Sequence, residues 1–424
     1  MNAQTFATVF VVFVAAALAW RSWLALRQVR HVTLHRDEVP ADFVALVPAE
    51  AHRRAADYTR DKQRLGLAET LAVDGVVLLA LTLGGGIAAI DEASARAFGD
   101  GNVRELATVF GVLLASTLAS LPFDLYRTFV VEDRYGFNRM TPALFFRDLL
   151  KGMALAAAIG APLLLVVFWL LRTAGPLWWL YTWLAWMVFT VILVVAFPRW
   201  IAPLFNQFTP LEDGELRARI ERLLARCGFT ASGLFVMDGS RRSSHGNAYF
   251  TGFGRTKRIV FFDTLIDRLT SDEIEAVLAH ELGHFARGHI PRLLTVRFAL
   301  VLGLLALLGW LYNEPAFYQA LGLEAPHIGA LLAGFSLIVP VFTFPFQPLA
   351  SLMARRQEFE ADAFAAQHAS AASLASALSK LYRDNASTLT PDPLHSLVYD
   401  SHPPAALRID HLRKARPLNG TASP

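Results

Sequence analysis

A single cysteine, Cys227, occurs among 424 residues. That excludes a disulfide framework within the chain and argues against a metal site built from several thiolates. Charge is scarce too: Asp, Glu, Lys and Arg make up 18% of the residues, where soluble domains carry about a quarter. Lysine is rarest of these, at five of the 39 basic residues, a bias that with abundant alanine fits a high-GC bacterial genome. No internal repeat or low-complexity tract stands out. The net charge of +3 is modest, and nothing in the sequence points to nucleic acid as a partner.

Hydrophobic residues are abundant, at 54%, and the mean hydropathy is +0.39. A bilayer crossing takes about 20 helical residues. Seven apolar runs are that long: Phe6–Leu26, Leu67–Ile90, Leu106–Leu125, Gly152–Leu171, Leu177–Phe197, Leu293–Tyr312 and Ile328–Leu349. The first has no basic segment before it and carries Arg21, Arg27 and Arg30 at its end, so it reads as an anchor rather than a cleaved signal. The intervening loops alternate between basic and acidic or uncharged. The positive-inside rule therefore predicts the N-terminus outside, with every basic loop in the cytoplasm. The chain divides into spans one to five (1–204), a polar segment (205–292), spans six and seven (293–350) and a second polar segment (351–424).

The first polar segment reads as mixed α and β. "TPLEDGELRARIERLLARCGF" has helical spacing, with Pro210 and Asp213 suited to the helix start. "GLFVMDGS", "NAYFTGFG" and "KRIVFFDTLI" read as three strands, the last two joined by a turn at Gly254–Lys257. "TSDEIEAVLAHELGHFARGH" reads as a helix capped by Ser271.

Within that helix, "HELGH" places His280 and His284 four residues apart on one face, where both can bind one ion. Glu281 beside them can take a proton from a water at that ion. A hydrolytic zinc wants three protein ligands. His289 is nearby, but on an unbroken helix it lies about 180° around from His280. Its other reading is a polar residue near the helix end. In "EFEAD", Glu358 and Asp362 share a face of a later helix. Glu358 would complete a His-His-Glu set, and Asp362 could accept the free ring N–H of a ligand histidine. Spacing prefers Glu358 to Glu360 only slightly, with Glu360 turned to the opposite, solvated side.

"NAYFTGFGRTKRIVFFDTLI", "HELGHF", "RRQEFEADAFA" and "SHPPAALRI", in this order among about seven spans, closely resemble the integral-membrane type I CAAX prenyl endopeptidases. "TFVVEDRYGFNRMT" and "PRWIAPLFNQFTPLEDGEL" resemble them as well, so the likeness covers most of the chain. The resemblance implies an all-α membrane protein, with about seven transmembrane helices forming a barrel around an intramembrane chamber. A small α+β cytoplasmic metalloprotease portion would roof it, and polar groups in the spans, such as Asp74, Asp124 and Arg297, would face protein or water. It implies one Zn²⁺ per chain on His280, His284 and Glu358, Glu281 as general base and Asp362 behind a ligand.

By the same resemblance His402 would donate to the oxyanion of the tetrahedral intermediate, though it could instead order a proline turn. Arg408 would help orient the peptide tail or a carboxylate. Asn247, Ala248 and Tyr249 would bind an extended peptide through an edge strand. Phe250 suits the core of the sheet better. The expected substrate is a peptide or protein, prenylated at its C-terminus in eukaryotic relatives. The expected location is the bacterial inner membrane, or the endoplasmic reticulum of a eukaryote, with the active site on the cytoplasmic side. Two other readings remain at this point: a quality-control protease of the heat-shock metalloprotease type, and a membrane scaffold with a structural metal.

Overall fold

The computed structural model describes residues 2–230, 233–251, 258–323 and 327–414. The first helix, α1 (Ala3–Leu34), starts where the Asn2 side chain accepts from the Thr5 amide. α2 (Ala49–Glu69) runs on through a π-helical stretch, Thr70–Val77, into α3 (Leu78–Leu81). The chain then turns at Gly85, in the left-handed region with φ 77°, into α4 (Gly86–Phe98). α5 (Asn102–Tyr126), α6 (Pro142–Thr173) and α7 (Trp178–Ala196) follow.

Next come β1 (Phe208–Pro210), α8 (Glu215–Arg226), β2 (Gly233–Met237), β3 (Ala248–Thr251), β4 (Arg258–Phe262), α9 (Asp263–Ile266) and α10 (Ser271–Ala286). α11 (His289–Leu311), α12 (Pro315–Ala320) and α13 (Ile328–Thr343) return through the apolar region. A 3-10 turn at Phe344–Phe346 joins α13 to α14 (Gln347–His368). α15 (Ala371–Asp384), α16 (Pro393–Tyr399) and α17 (Ala405–Lys414) complete the described chain.

Among the described residues, six helices or helix runs are long and apolar enough to cross a membrane. The run Ala49–Leu81 with Gly86–Phe98, bent by 56° at its break, makes a seventh if the pair counts as one span. The second expected span falls on this bent pair. Trp169, Val188, Ile192 and Trp310 on the six helices are exposed, large apolar side chains that suit contact with lipid. The helices meet on an apolar cluster around Phe10, Ile87, Phe168, Phe317 and Leu331.

Polar groups line the interior. A cavity of about 500 Å³ is bordered by Trp20, Arg21, Gln63, Thr70, Gln347 and Tyr399. Tyr399 also borders a cavity of about 300 Å³ that reaches His402. Asp74 faces protein, 2.8 Å from Arg21. Asp124 lies 2.6 Å from Arg127 at the end of its helix.

The sheet has four strands in the order β1-β2-β4-β3, one more than the sequence indicates. β2 and β4 are parallel, and β3 pairs antiparallel with β4, Tyr249 opposite Val260. The turn expected at 254–257 lies outside the described residues. Asp213 does brace the start of α8, through Arg217 at 2.7 Å. The cap of α10 is Thr270, one residue before the expected Ser271. Its hydroxyl accepts from the Glu273 amide, and the Glu273 carboxylate accepts from the Thr270 amide.

Ile220, Phe261, Leu278 and Leu282 share one apolar core with Phe364, Leu374 and Leu412. The two polar segments, separated in sequence by two membrane crossings, therefore form a single body. Phe250 packs against this core, as its sequence context indicates.

Candidate metal centre

α10 and α14 cross at unusually close range because Gly283 lies between the two histidines of "HELGH". A Cβ there would lie 2.9 Å from Ala361 Cα and 3.0 Å from its carbonyl oxygen. Ala361 follows Glu358 by three residues and precedes Asp362, so this contact sets both carboxylates against the histidine face.

Three side chains converge as a result. Nε2 of His280 and Nε2 of His284 are 3.2 Å apart. Glu358 Oε2 is 3.5 Å from the first, and its Oε1 is 3.4 Å from the second. Ligands about 2.0–2.1 Å from a tetrahedral ion lie about 3.3 Å from one another. The observed separations match that edge. Glu358 Oε2 is buried and accepts no bond of hydrogen-bonding geometry, although His402 Nδ1 lies 2.7 Å away and Arg408 Nη1 3.2 Å. The donor set and the spacing both fit a metal.

The groups around this triad hold it rigid. Asp362, fully buried, lies 2.8 Å from His280 Nδ1. Burial works against a charge on His280, but Asp362 and Glu358 outweigh it and hold the imidazole up at about 9. Arg408 grips Asp362 with two bonds, Nε to Oδ2 at 2.9 Å and Nη2 to Oδ1 at 2.6 Å. Arg408, expected to help orient the peptide tail or a carboxylate, is 5% exposed and orients a carboxylate of the protein itself, that of Asp362.

Glu281 is partly exposed and makes no hydrogen bond or ion pair among the described residues. His402 is largely exposed. Its loop is fixed from α14: Arg355 Nη1 donates to the carbonyls of Ser396, Leu397 and Asp400 at 2.9–3.1 Å, capping α16. Asn247 is exposed at the entry of β3, its Oδ1 accepting from the Ala248 amide. Ala248 and Tyr249 lie on β3, whose outer edge pairs with no other strand among the described residues. Tyr249 packs edge-on against Phe262. Burial raises its phenol pKa.

His289 and Glu360 differ most from the sequence reading. Gly288, with φ 67°, ends the helical turn after α10 and starts α11 at His289. The ring of His289 comes back to the far side of His284, Nδ1 to Nδ1 at 2.8 Å. Glu360 is half exposed and reaches His289 Nε2 at 3.0 Å, rather than being given over to solvent. An angle drawn on an unbroken helix misses the His289 contact because Gly288 starts a new helix there, and the side of α14 on which Glu360 lies says nothing of the α11 histidine that meets it.

The chain is similar to known proteins over most of its length. Residues 28–207 match the family described as CAAX prenyl protease N-terminal, five membrane helices. Residues 210–416 match peptidase family M48. The chain is 35% identical over 429 residues to a CAAX prenyl protease 1 homolog of Oryza sativa subsp. japonica, covering 95% of this chain and 96% of that protein. It is 38% identical over 317 residues to CAAX prenyl protease 1 of Saccharomyces cerevisiae, covering 70% and 69%. The crystal structure of S. mikatae Ste24p superposes with a TM-score of 0.88 at 31% identity, over 96% of this chain and 98% of that one.

Proposed function

We propose that this chain, which belongs to the CAAX prenyl protease 1 family of M48 membrane metallopeptidases, uses one zinc ion held by His280, His284 and Glu358 to cut near the C-termini of lipidated peptides. The observation that carries this reading is the convergence of those three side chains beside an unengaged Glu281. When bound, zinc would supply Lewis acidity at the scissile carbonyl and lower the pKa of a nearby water.

Glu281 takes the proton from the attacking water and returns it to the leaving amine. His402, held by the capped end of α16, offers a donor to the oxyanion. The outer edge of β3 pairs with the extended substrate through the backbone of Ala248, with Tyr249 beside it held to Val260 of β4. The Asn247 amide nitrogen is left to donate to a substrate carbonyl, since its oxygen is taken by Ala248. Asp362 and Arg408 keep His280 oriented. The basic loops support a site on the cytoplasmic face. The full-length likeness to CAAX prenyl protease 1 chains favours C-terminal processing over a clearance role.

The test is hydrolysis of a matched pair of peptides, one farnesylated at a C-terminal Cys-a-a-X sequence and one unmodified, by the purified zinc-loaded protein. Preferred cleavage of the farnesylated peptide supports the reading. Failure to cleave either, with zinc bound, overturns it.

A further inference from the structure

Both ligand histidines converge on Glu358 through Nε2, so each has Nδ1 turned to the rear. Behind His280 stands Asp362. Behind His284 stands no carboxylate, but a second imidazole: His289 Nδ1, at 2.8 Å. His289 is 3% exposed, and its other nitrogen lies 3.0 Å from Glu360 Oε2. Arg292 Nη1 approaches the same oxygen at 3.6 Å. Glu358, Glu360 and Asp362 alternate along α14, so this one helix supplies a ligand, the carboxylate behind His280 and the carboxylate behind His289.

The positions of the protons follow from the contacts. A histidine that ligates through Nε2 has no proton there, so the neutral ring carries it on Nδ1. Two ring nitrogens 2.8 Å apart can share only one proton. His284 Nδ1–H therefore donates, and His289 Nδ1 accepts. The proton of His289 is then on Nε2, where it meets the Glu360 carboxylate. In the reverse arrangement the His284 proton would sit on Nε2, among the ligand atoms. His289 would then turn a bare lone pair toward an anion. Glu360 selects the first arrangement.

We infer that His289 and Glu360 form a positioning relay that fixes the Nδ1–H tautomer and the ring orientation of His284, as Asp362 does directly for His280. The inference rests on the ligand assignment proposed above. Neither residue touches the reacting atoms; both act through His284.

The experiment measures the zinc dissociation constant of the purified full-length protein by chelator competition, with the melting temperature of the metal-free form followed in parallel. Glu360→Ala should weaken zinc binding about 10- to 100-fold. Glu360→Gln, whose amide oxygen still accepts from His289, should stay within about threefold of wild type. His289→Phe should weaken binding at least as much as Glu360→Ala. Adding Glu360→Ala to His289→Phe should cost little more, because both act along one path. The metal-free melting temperatures should change too little to account for these losses.

Zinc affinity unchanged by both Glu360→Ala and His289→Phe overturns the relay. So does a Glu360→Gln variant as weak as Glu360→Ala, or losses that merely track melting temperature. His284→Ala separates the two levels: if it binds zinc like wild type, the ligand assignment fails and the relay with it. If it loses zinc while Glu360→Ala does not, only the relay fails.

Discussion

Gly283 and Ala361 face each other at a distance that admits no side-chain carbon: a Cβ on the glycine would meet Ala361 Cα at 2.9 Å. The two nearest atoms, Ala361 Cα and its carbonyl oxygen, are backbone and cannot rotate aside. Gly283→Ala should therefore part α10 from α14, costing about 1–3 kcal/mol of stability by overpacking. Because Glu358 rides on α14, zinc affinity should fall at least about tenfold with it. Thermal unfolding and chelator competition on one preparation check both effects. A variant that binds zinc like wild type would remove Gly283 from the account of how the ligands meet.

Glu358 completes the triad from the other side of two membrane crossings. Glu358→Ala should leave the two histidines and lose most of the bound zinc, read as metal per chain after purification. Unchanged zinc content would shift the third ligand elsewhere.

Arg408 is the counterion of a fully buried Asp362. Arg408→Ala strands that carboxylate beside His280, and breaking a buried pair in this way costs about 3–5 kcal/mol. Arg408→Lys should recover only part of the loss, since an ammonium cannot make the two parallel bonds. Denaturation of the three proteins in detergent gives the comparison.

Glu273 ties α10 to α15 through Lys380 and Ser376, both at 2.7 Å. Burial raises its pKa, but Lys380, Ser376 and the Thr270 amide outweigh burial and lower it from 4.5. A carboxyl lowered on folding stabilises fully above its unfolded pKa, and that stabilisation is lost as pH falls through the folded value. The stability difference between wild type and Glu273→Gln should thus be constant near neutrality and shrink below about pH 4.5. A difference that persists unchanged to pH 3 would contradict the assigned ionisation.

The sequence carried the parts of this structure that depend on local periodicity. Residues four apart on a helix share a face, so His280 with His284 and Glu358 with Asp362 were legible as pairs. Seven apolar runs were legible by length, but the break after Leu81 was not, because a bend at Gly85 leaves the hydropathy unchanged. β1 escaped notice because three residues ending in proline show no alternation. Arg408 was visible as a residue of the C-terminal motif, yet nothing local says that its helix turns inward onto Asp362, 46 positions away. His289 escaped the angle count because Gly288 breaks the helix on which it was made, and Glu360 because its place on α14 does not say that a histidine of α11 comes to meet it. Contacts made across helices depend on packing, and packing has no period to read.

The central claim is that the triad holds zinc while Glu281 moves the proton, and Glu281→Gln separates the two. Zinc per chain and the rate of peptide cleavage should be measured on the same preparation of this variant. The account predicts wild-type zinc content with cleavage reduced at least about a hundredfold. Cleavage at the wild-type rate, or activity lost only because the zinc is lost, would contradict it.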